Sequence, residues 1–121
     1  MKTQAVQTAL VTGGGSGMGR AISLELCRSG MQIFVADLNL TAAEKTVLAA
    51  QGLPGQADAC GVDISQSTSV ASLFSDLRQR AERLDLLVHT AAILGQTVSI
   101  EDLDDDQWRR MISVNLDGAF Y

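Results

Sequence analysis

The sequence predicts an α/β fold in which a parallel β-sheet is covered by helices on both faces. Three observations support this prediction. Short apolar runs such as Ala9-Leu10-Val11 alternate with segments of helical periodicity in the order βαβαβαβα. A glycine-rich segment, residues 12–19, joins the first apolar run to the first helical segment. An acidic residue, Asp37, closes the second apolar run at about the 20-residue distance expected of a ribose-binding acid.

The first strand is predicted over residues 6–11 and the first helix over 18–29. The apolar run of the strand is continuous, as is typical of a parallel strand that is covered on both faces. Gly30 is expected to end the helix. Its buried face is expected to carry three apolar residues at four-residue spacing, namely Met18, Ile22 and Leu26.

The second strand is predicted over residues 31–36. Thr41 and Glu44 form a capping box, in which Thr41 caps a second helix that continues to a stop at Gly52. A weaker third strand follows over 56–62.

A third helix is expected to be capped by Ser65 or Ser67. Its apolar stripe has clean helical spacing and consists of Val70, Leu73, Phe74, Leu77 and Ala81. The fourth strand is predicted over 84–88, a loop over 89–95, and a fourth helix from 104–106 onward. One face of that helix is expected to carry Trp108, Met111, Ile112, Leu116, Ala119 and Phe120. Right-handed crossovers give these strands the order 3-2-1-4 of a Rossmann-type, doubly wound sheet.

The glycine-rich segment, which we call the glycine turn (residues 12–19), has the composition of a phosphate-binding site. Glycine allows positive φ and close approach of the backbone to a ligand. The following helix contributes unpaired N–H groups and the positive end of its dipole. Asp37 is then placed to bind the adenosine ribose, although an Asp that merely caps the next turn is the alternative.

The spacing Thr12-Gly13-x-x-x-Gly17-x-Gly19 resembles the glycine motif of the short-chain dehydrogenase/reductases. The resemblance spans nearly the whole chain but only the first half or so of such an enzyme. It implies an NAD(P)-dependent oxidoreductase that acts on an alcohol or carbonyl substrate. Residues 1–121 are accordingly expected to form a single, incomplete NAD(P)-binding domain, truncated after the fourth strand and part of the following helix.

The resemblance also implies which residues bind the cofactor. Asp63, followed by the small apolar Ile64, corresponds to the family position that holds adenine, with a helix-capping Asp as the alternative. The segment 89–92 lies where the family usually has Asn-Asn-Ala-Gly, and Ala92 adds a methyl group at the glycine position. The cofactor-binding residues implied are Thr12, Gly13, Ser16, Gly17, Met18, Gly19, Asp37, Leu38, Asp63, Ile64, Thr90, Ala91 and Ala92.

Asn115 is the residue to which the resemblance assigns a catalytic role. It interrupts the apolar face of the last helix, so a buried amide bonded to a neighbouring strand or loop is the alternative. In the family the backbone of this Asn bends the helix and holds a water for the catalytic lysine. His89, the only histidine, is interpreted as a structural hydrogen-bonding residue rather than a general base.

The family's catalytic Ser and Tyr-x-x-x-Lys segment are expected beyond residue 121. Tyr121 is the only tyrosine, and the lysines Lys2 and Lys45 lie far from the expected binding edge. We therefore expect the chain alone not to transfer hydride. A catalytically silent nucleotide-binding module is the second hypothesis, and a different Rossmann class, such as a methyltransferase, is disfavoured by the glycine spacing.

Composition and charge limit which partners and which cellular location the chain is expected to have. Hydrophobic residues make up 46% of the 121, and the net charge of −5 argues against nucleic acid as the main partner. No apolar run approaches a membrane span, residues 1–4 show no leader, and no metal site is expected. Cys27 and Cys60 are expected to be free thiols in the cytoplasm. NAD is preferred over NADP, and the uncovered fourth strand predicts self-association as a homo-oligomer.

Overall fold

A four-stranded parallel sheet forms the centre of the computed structural model, which describes residues 5–121. The order β3-β2-β1-β4 confirms the predicted 3-2-1-4 winding. The strands are β1 (Thr8–Thr12), β2 (Gln32–Asp37), β3 (Gln56–Gly61) and β4 (Leu86–His89). The predictions concerning Lys2 and a leader at residues 1–4 lie outside the described residues.

Helices follow each strand. The long ones are α1 (Gly17–Arg28), α2 (Leu40–Ala49), α3 (Ser67–Arg80) and α4 (Asp105–Ile112). A 3₁₀ turn, Ile100–Asp102, precedes α4, and a π-helical turn, Ser113–Asp117, joins α4 to the short α5 (Gly118–Phe120). Within the described part of the chain, no helix is long and apolar enough to cross a membrane.

The helices cover both faces of the sheet. One core cluster joins alternate strand residues to the apolar stripe of α3, and its buried members are Leu10, Phe34, Ala36, Cys60, Val62, Ile64, Val70, Leu73 and Leu77. The cluster on the opposite face packs against α1 and α2, and its members are Ala9, Val11, Cys27, Ile33, Val35, Ala43 and Ala50. The strict alternation between the two clusters along β1 and β2 explains their continuous apolar runs.

The helix caps differ from the prediction. Asn39, not Thr41, caps α2, because its side-chain oxygen accepts from the Ala42 N–H at 3.1 Å and the helix begins at Leu40. The helix ends at Ala49, before the predicted stop at Gly52.

The cap of α3 is Gln66, which makes no side-chain cap bond, so the choice of Ser65 or Ser67 was wrong. Ser65 lies one residue before the cap, and its hydroxyl donates to the Asp63 Oδ1 at 2.6 Å instead of serving the helix.

The buried face of α1 is shifted by one residue from the prediction. Met18 is 76% exposed, whereas the buried residues are Gly19, Ser23 and Cys27. The reason is close packing at the start of the helix: a Cβ added to Gly19 would lie 2.1 Å from the Gly13 carbonyl oxygen. Small residues of α1 therefore face the sheet, and the larger side chains of Ile22 and Leu26 lie beside that face, partly buried.

The fourth strand extends to His89, which pairs with Thr12, so the loop predicted over 89–95 begins one residue later. Asp104 caps α4 by accepting from the Gln107 N–H at 2.8 Å, in agreement with the acidic helix start. The apolar face predicted for the last helix is largely solvent-exposed, with Trp108 at 51% and Phe120 at 87% exposed.

Candidate functional site

A cleft of about 650 Å³ opens at the carboxyl ends of β1, β2 and β3, the edge at which ligands bind in open α/β sheets. Every predicted cofactor-binding residue except Thr12 lines it. The cleft is within the size range of small-molecule and cofactor sites, about 300–1,000 Å³.

The glycine turn forms one wall of the cleft and requires its glycines. Gly13 and Gly17 have φ values of 67° and 53°, which side chains disfavour. A Cβ on Gly13 would lie 2.8 Å from the Ala91 nitrogen, and one on Gly19 would collide with the Gly13 carbonyl. The packing around the turn leaves no room for a side chain at Gly13 or Gly19, whereas a Cβ on Gly17 would meet nothing within 4 Å. This arrangement fits the phosphates of a dinucleotide.

Asp37, at the end of β2, is held by two backbone N–H groups. Gly15 donates to its Oδ2 and Asn39 donates to its Oδ1, both at 2.9 Å. The second bond is the turn-capping geometry considered as the alternative for this residue. Asp37 can cap this turn and bind a ribose hydroxyl at the same time, because each carboxylate oxygen can accept a further hydrogen bond. Asp37 thus lines the cleft with a fixed orientation.

Asp63 organises the turn between β3 and α3. Its Oδ1 accepts from both the N–H and the hydroxyl of Ser65, and its own N–H donates to the Ser69 hydroxyl oxygen at 3.0 Å. Asp63 does not cap α3 itself. Ile64 next to it is only 8% exposed, and Gly118 packs so closely that an added Cβ would lie 2.8 Å from the Ile64 Cδ1.

Thr12 ties β1 to β4 instead of lining the cleft. Its hydroxyl lies 2.8 Å from the His89 Nδ1, and its carbonyl accepts from the Thr90 hydroxyl at 2.7 Å. The Ala91 N–H donates to the Thr12 hydroxyl oxygen at 3.3 Å. These bonds give His89 a structural partner, in line with its interpretation as a structural residue, and they fix the start of the segment 90–92 that lines the cleft.

The structure places Asn115 in a different environment from the one predicted. The residue is exposed rather than buried, and it does not line the cleft. Its side chain forms a pair of bonds with one loop residue: the Ile93 N–H donates to Oδ1, and Nδ2 donates to the Ile93 carbonyl, each at 2.9 Å. The loop-bonded amide considered as the alternative is thus present. Asn115 also lies within the π-helical turn, an irregularity of the helix backbone, and its catalytic role stays a prediction.

The sequence interpretation missed part of the cleft. The residues it did not include are Asn39, Val62, Ser65, Ile93, Arg110, Ser113 and Val114. Arg110, Ser113 and Val114 share one helical face at i, i+3, i+4 spacing, and this spacing was the available signal. Among the lining residues that the structure describes, Arg110 contributes the one positively charged side chain, opposite in sign to Asp37 and Asp63.

Several groups outside the cleft have shifted pKa values with structural causes. Burial raises the pKa of the Cys27 thiol and also that of Cys60, the latter against the opposing charge of Arg80. The Thr8 N–H, followed by Arg83, lowers the pKa of Asp85. Both cysteines are free, and no cluster of three or more His, Cys, Asp or Glu residues that could hold a metal occurs within residues 5–121.

Curated proteins are similar in sequence to most of this chain. A cyclohexanol dehydrogenase from an Acinetobacter strain is 36% identical over 115 residues, which cover 95% of this chain and 46% of that protein. A 3beta-hydroxysteroid dehydrogenase from Mediterraneibacter gnavus is 30% identical over 112 residues, or 93% of this chain and 41% of the relative. The chain therefore spans less than half the length of these two relatives.

Solved structures share the fold. A 3-ketoacyl-ACP reductase from Sinorhizobium meliloti matches with a TM-score of 0.89 at 35% identity, over 93% of this chain and 44% of that one. A hydroxysteroid dehydrogenase from Escherichia coli matches with a TM-score of 0.86 at 30% identity, over 94% of this chain and 48% of that one. The family model for short chain dehydrogenases matches residues 7–121. The chain belongs to the short chain dehydrogenase family.

Proposed function

We propose that this protein binds NAD(H) in the cleft and belongs to an oxidoreductase that acts on an alcohol or carbonyl substrate. The observation that carries the proposal is the convergence of the glycine turn, Asp37 and Asp63 on one cleft. Family membership implies a nicotinamide dinucleotide, either NAD or NADP. The similarity to a cyclohexanol dehydrogenase supports a small alcohol or ketone as the substrate.

Each wall of the cleft has a role in this proposal. The backbone of Gly13, Ser16, Gly17, Met18 and Gly19 holds the pyrophosphate, since glycine and a helix start favour bound phosphate. The adenosine end lies among the residues that close β2 and β3, namely Asp37, Leu38, Asp63 and Ile64. The segment Thr90 to Ala92 borders the nicotinamide side. When bound, the dinucleotide supplies or accepts the hydride.

The preference for NAD over NADP rests on Asp37. Its carboxylate is oriented by the Gly15 and Asn39 N–H groups and can accept from a ribose hydroxyl. A 2′-phosphate at the same place would face a like charge, and the neighbouring Leu38 offers no positive charge. The repulsion should disfavour NADP by about 1–3 kcal/mol.

Calorimetric titration of the protein with NAD⁺ and with NADP⁺ tests this proposal. We expect NAD⁺ to bind about 5- to 150-fold more tightly, the ratio that corresponds to the repulsion. Asp37→Ala should reduce the ratio by weakening NAD⁺ and relieving NADP⁺. Equal or tighter NADP⁺ binding would overturn the preference, and no binding of either would overturn the function.

A catalytically silent nucleotide-binding module is the second candidate. Its support is the composition of the cleft, whose ionisable lining residues are Asp37, Asp63 and Arg110. Transfer of hydride to a carbonyl also requires a proton donor, whose loss typically costs about 10²–10⁴ in rate. Both candidates expect no turnover by this chain alone. Absorbance of the reduced cofactor, followed with a panel of alcohols and ketones, is therefore compared between this chain and one extended through a downstream Tyr-x-x-x-Lys segment, which should turn over only under the first candidate. Turnover by this chain alone would contradict both expectations and direct attention to His89.

Three further properties stay predictions. A cytoplasmic location is supported by the free Cys27 and Cys60. Self-association is supported by exposed apolar residues at the sheet edge and on the last helix, such as Leu87 at 53% and Phe120 at 87% exposed. Light scattering tests it, and a stable monomer at high concentration would contradict it. The catalytic role of Asn115 is tested by the activity of Asn115→Ala in a chain extended through a downstream Tyr-x-x-x-Lys segment.

A further inference from the structure

Helix α2 hydrogen-bonds to the glycine turn through a single buried residue, Thr46. Its side chain is 0% exposed, and its hydroxyl donates to the Gly14 carbonyl at 2.9 Å. A threonine inside a helix can donate to the carbonyl four residues earlier. That carbonyl belongs to Ala42 and is farther away, at 3.4 Å. The shorter bond is therefore the one that leaves the helix and reaches the turn.

Gly14 and Gly15 form the part of the turn that does not line the cleft. The Gly14 N–H donates to the Ala36 carbonyl at 3.1 Å, and a Cβ on Gly14 would lie 2.6 Å from the Val35 Cγ1. A Cβ on Gly15 would lie 2.7 Å from the Ala42 Cβ. This side of the turn is thus packed against both β2 and α2, while Gly13 and Gly17 face the cleft.

We propose that Thr46 is a positioning residue for the pyrophosphate of the bound dinucleotide. A segment so rich in glycine has a large conformational entropy to lose when its N–H groups order around a phosphate. The Thr46 hydroxyl fixes the Gly14 carbonyl, and with it the peptide that enters the phosphate-binding part of the turn. The inference rests on the proposed function, because it assumes that the phosphates bind at this turn.

The test compares two substitutions that differ in the hydroxyl. Thr46→Val keeps the shape of the side chain and removes the donor, whereas Thr46→Ser keeps the donor. We expect Thr46→Val to raise the Kd for NAD⁺ about three- to tenfold, the effect of one lost hydrogen bond, and Thr46→Ser to restore most of the affinity. Adenosine lacks phosphates, so its affinity, measured by NMR titration, should be equal in the wild type and in Thr46→Val.

Ser23→Ala provides the matched control for the loss of a buried hydroxyl. The Ser23 hydroxyl donates to the Gly19 carbonyl at 2.8 Å within α1 and does not join α1 to another element. Ser23→Ala should therefore lower thermal stability to a degree similar to Thr46→Val, with a smaller change in NAD⁺ affinity. An equal loss of NAD⁺ affinity in both variants would overturn the specific role of Thr46.

The outcomes separate the inference from the proposed function. If the wild type binds no NAD⁺, the proposed function fails. If the wild type binds and Thr46→Val binds equally well, or loses adenosine affinity to the same extent, the positioning role fails. If Thr46→Val does not fold, the exchange rate of the Thr46 hydroxyl proton with water is measured in the wild type instead. The Thr46 hydroxyl should then exchange more slowly than that of exposed Thr41, and more slowly still with NAD⁺; fast exchange overturns the proposal.

Discussion

The neighbouring strands β1 and β4 have similar apolar runs and very different surroundings. Ala9, Leu10 and Val11 of β1 are 0, 1 and 0% exposed, whereas Leu86 and Leu87 of β4 are 37 and 53% exposed. β1 lies between two strands with helices over both faces, while β4 pairs with β1 alone among the described residues. An apolar run therefore predicts a strand, but the elements packed around that strand decide its burial.

The same contrast applies to the ends of the two strands. β1 leads into the glycine turn, which is bonded to β2, α2 and Asp37 and borders the cleft. β4 leads into the segment 90–99, which has no helix or strand of its own. Strand β1, the glycine turn and β2 should therefore determine both stability and cofactor affinity, whereas β4 itself should tolerate change.

The largest effect is expected from Gly19→Val at the start of α1. The added Cβ would collide with the Gly13 carbonyl, so measurable NAD⁺ binding should disappear. His89→Ala, at the end of β4, should change the Kd little. Gly30→Ala controls for a loss of stability that involves no clash at the turn, since Gly30 has a φ of 89° but lies in open space. Calorimetry measures all three, and a stronger effect of His89→Ala would contradict the account.

A paired leucine substitution tests burial directly. Leu10→Ala opens a cavity in a filled core and should cost about 2–5 kcal/mol of unfolding free energy. Leu87→Ala removes the same atoms from a half-exposed position and should cost about 1 kcal/mol or less. Urea denaturation followed by circular dichroism compares them. Equal losses would mean that β4 is covered in solution, for example by another copy of the chain.

The last helix offers a further comparison, between two adjacent arginines of which one lines the cleft and the other is on the exposed surface. Arg110 lines the cleft, whereas Arg109 pairs with Asp105 and Asp106 on the exposed surface. Arg110→Met should weaken NAD⁺ binding severalfold, because it removes the positive charge from the lining and exposes the cofactor phosphates to the carboxylates. Arg109→Met should leave the affinity unchanged. The same Kd in both variants would exclude Arg110 from the site.

The smallest effect concerns Asp85, just before β4. Its Oδ2 accepts from the Thr8 N–H at 2.8 Å, and this bond, followed by Arg83, lowers its pKa. A folded pKa below the unfolded one stabilises the protein above the unfolded pKa, and that stability is lost as the pH falls through the folded pKa. The difference in melting temperature between wild type and Asp85→Asn should thus be largest near neutral pH and vanish in strong acid. A difference that grows in acid would contradict this assignment.

The sequence was sufficient to predict the parallel sheet, its winding and most of the cleft. These features depend on local signals: apolar runs, glycine spacing and acids that end strands. The burial of α1 could not be predicted in the same way, because close packing at Gly19 selects small residues for the buried face and leaves Met18 exposed. Hydrophobicity alone places Met18, Ile22 and Leu26 on the buried face.

Contacts between distant segments account for the other differences. Asn115 was expected to be buried because its neighbours are apolar, yet that face is exposed and the amide bonds to Ile93 in a loop. Arg110 was missed because its position in the cleft depends on the packing of the last helix against Ile64, which Gly118 permits. The Asn115–Ile93 bonds and the Gly118–Ile64 contact join residues far apart in the sequence, so local patterns did not predict which surface the helix would face.

We expect the cofactor to bind at the glycine turn and Asp37 rather than along β4. Titration of ¹⁵N-labelled protein with NAD⁺, followed by amide chemical shifts, tests it residue by residue. We expect the largest shifts at Gly13, Gly17, Gly19 and Asp37, with Leu87 and its neighbours in β4 little affected. Shifts centred on β4 or on the exposed face of the last helix, with the glycine turn unchanged, would contradict the account.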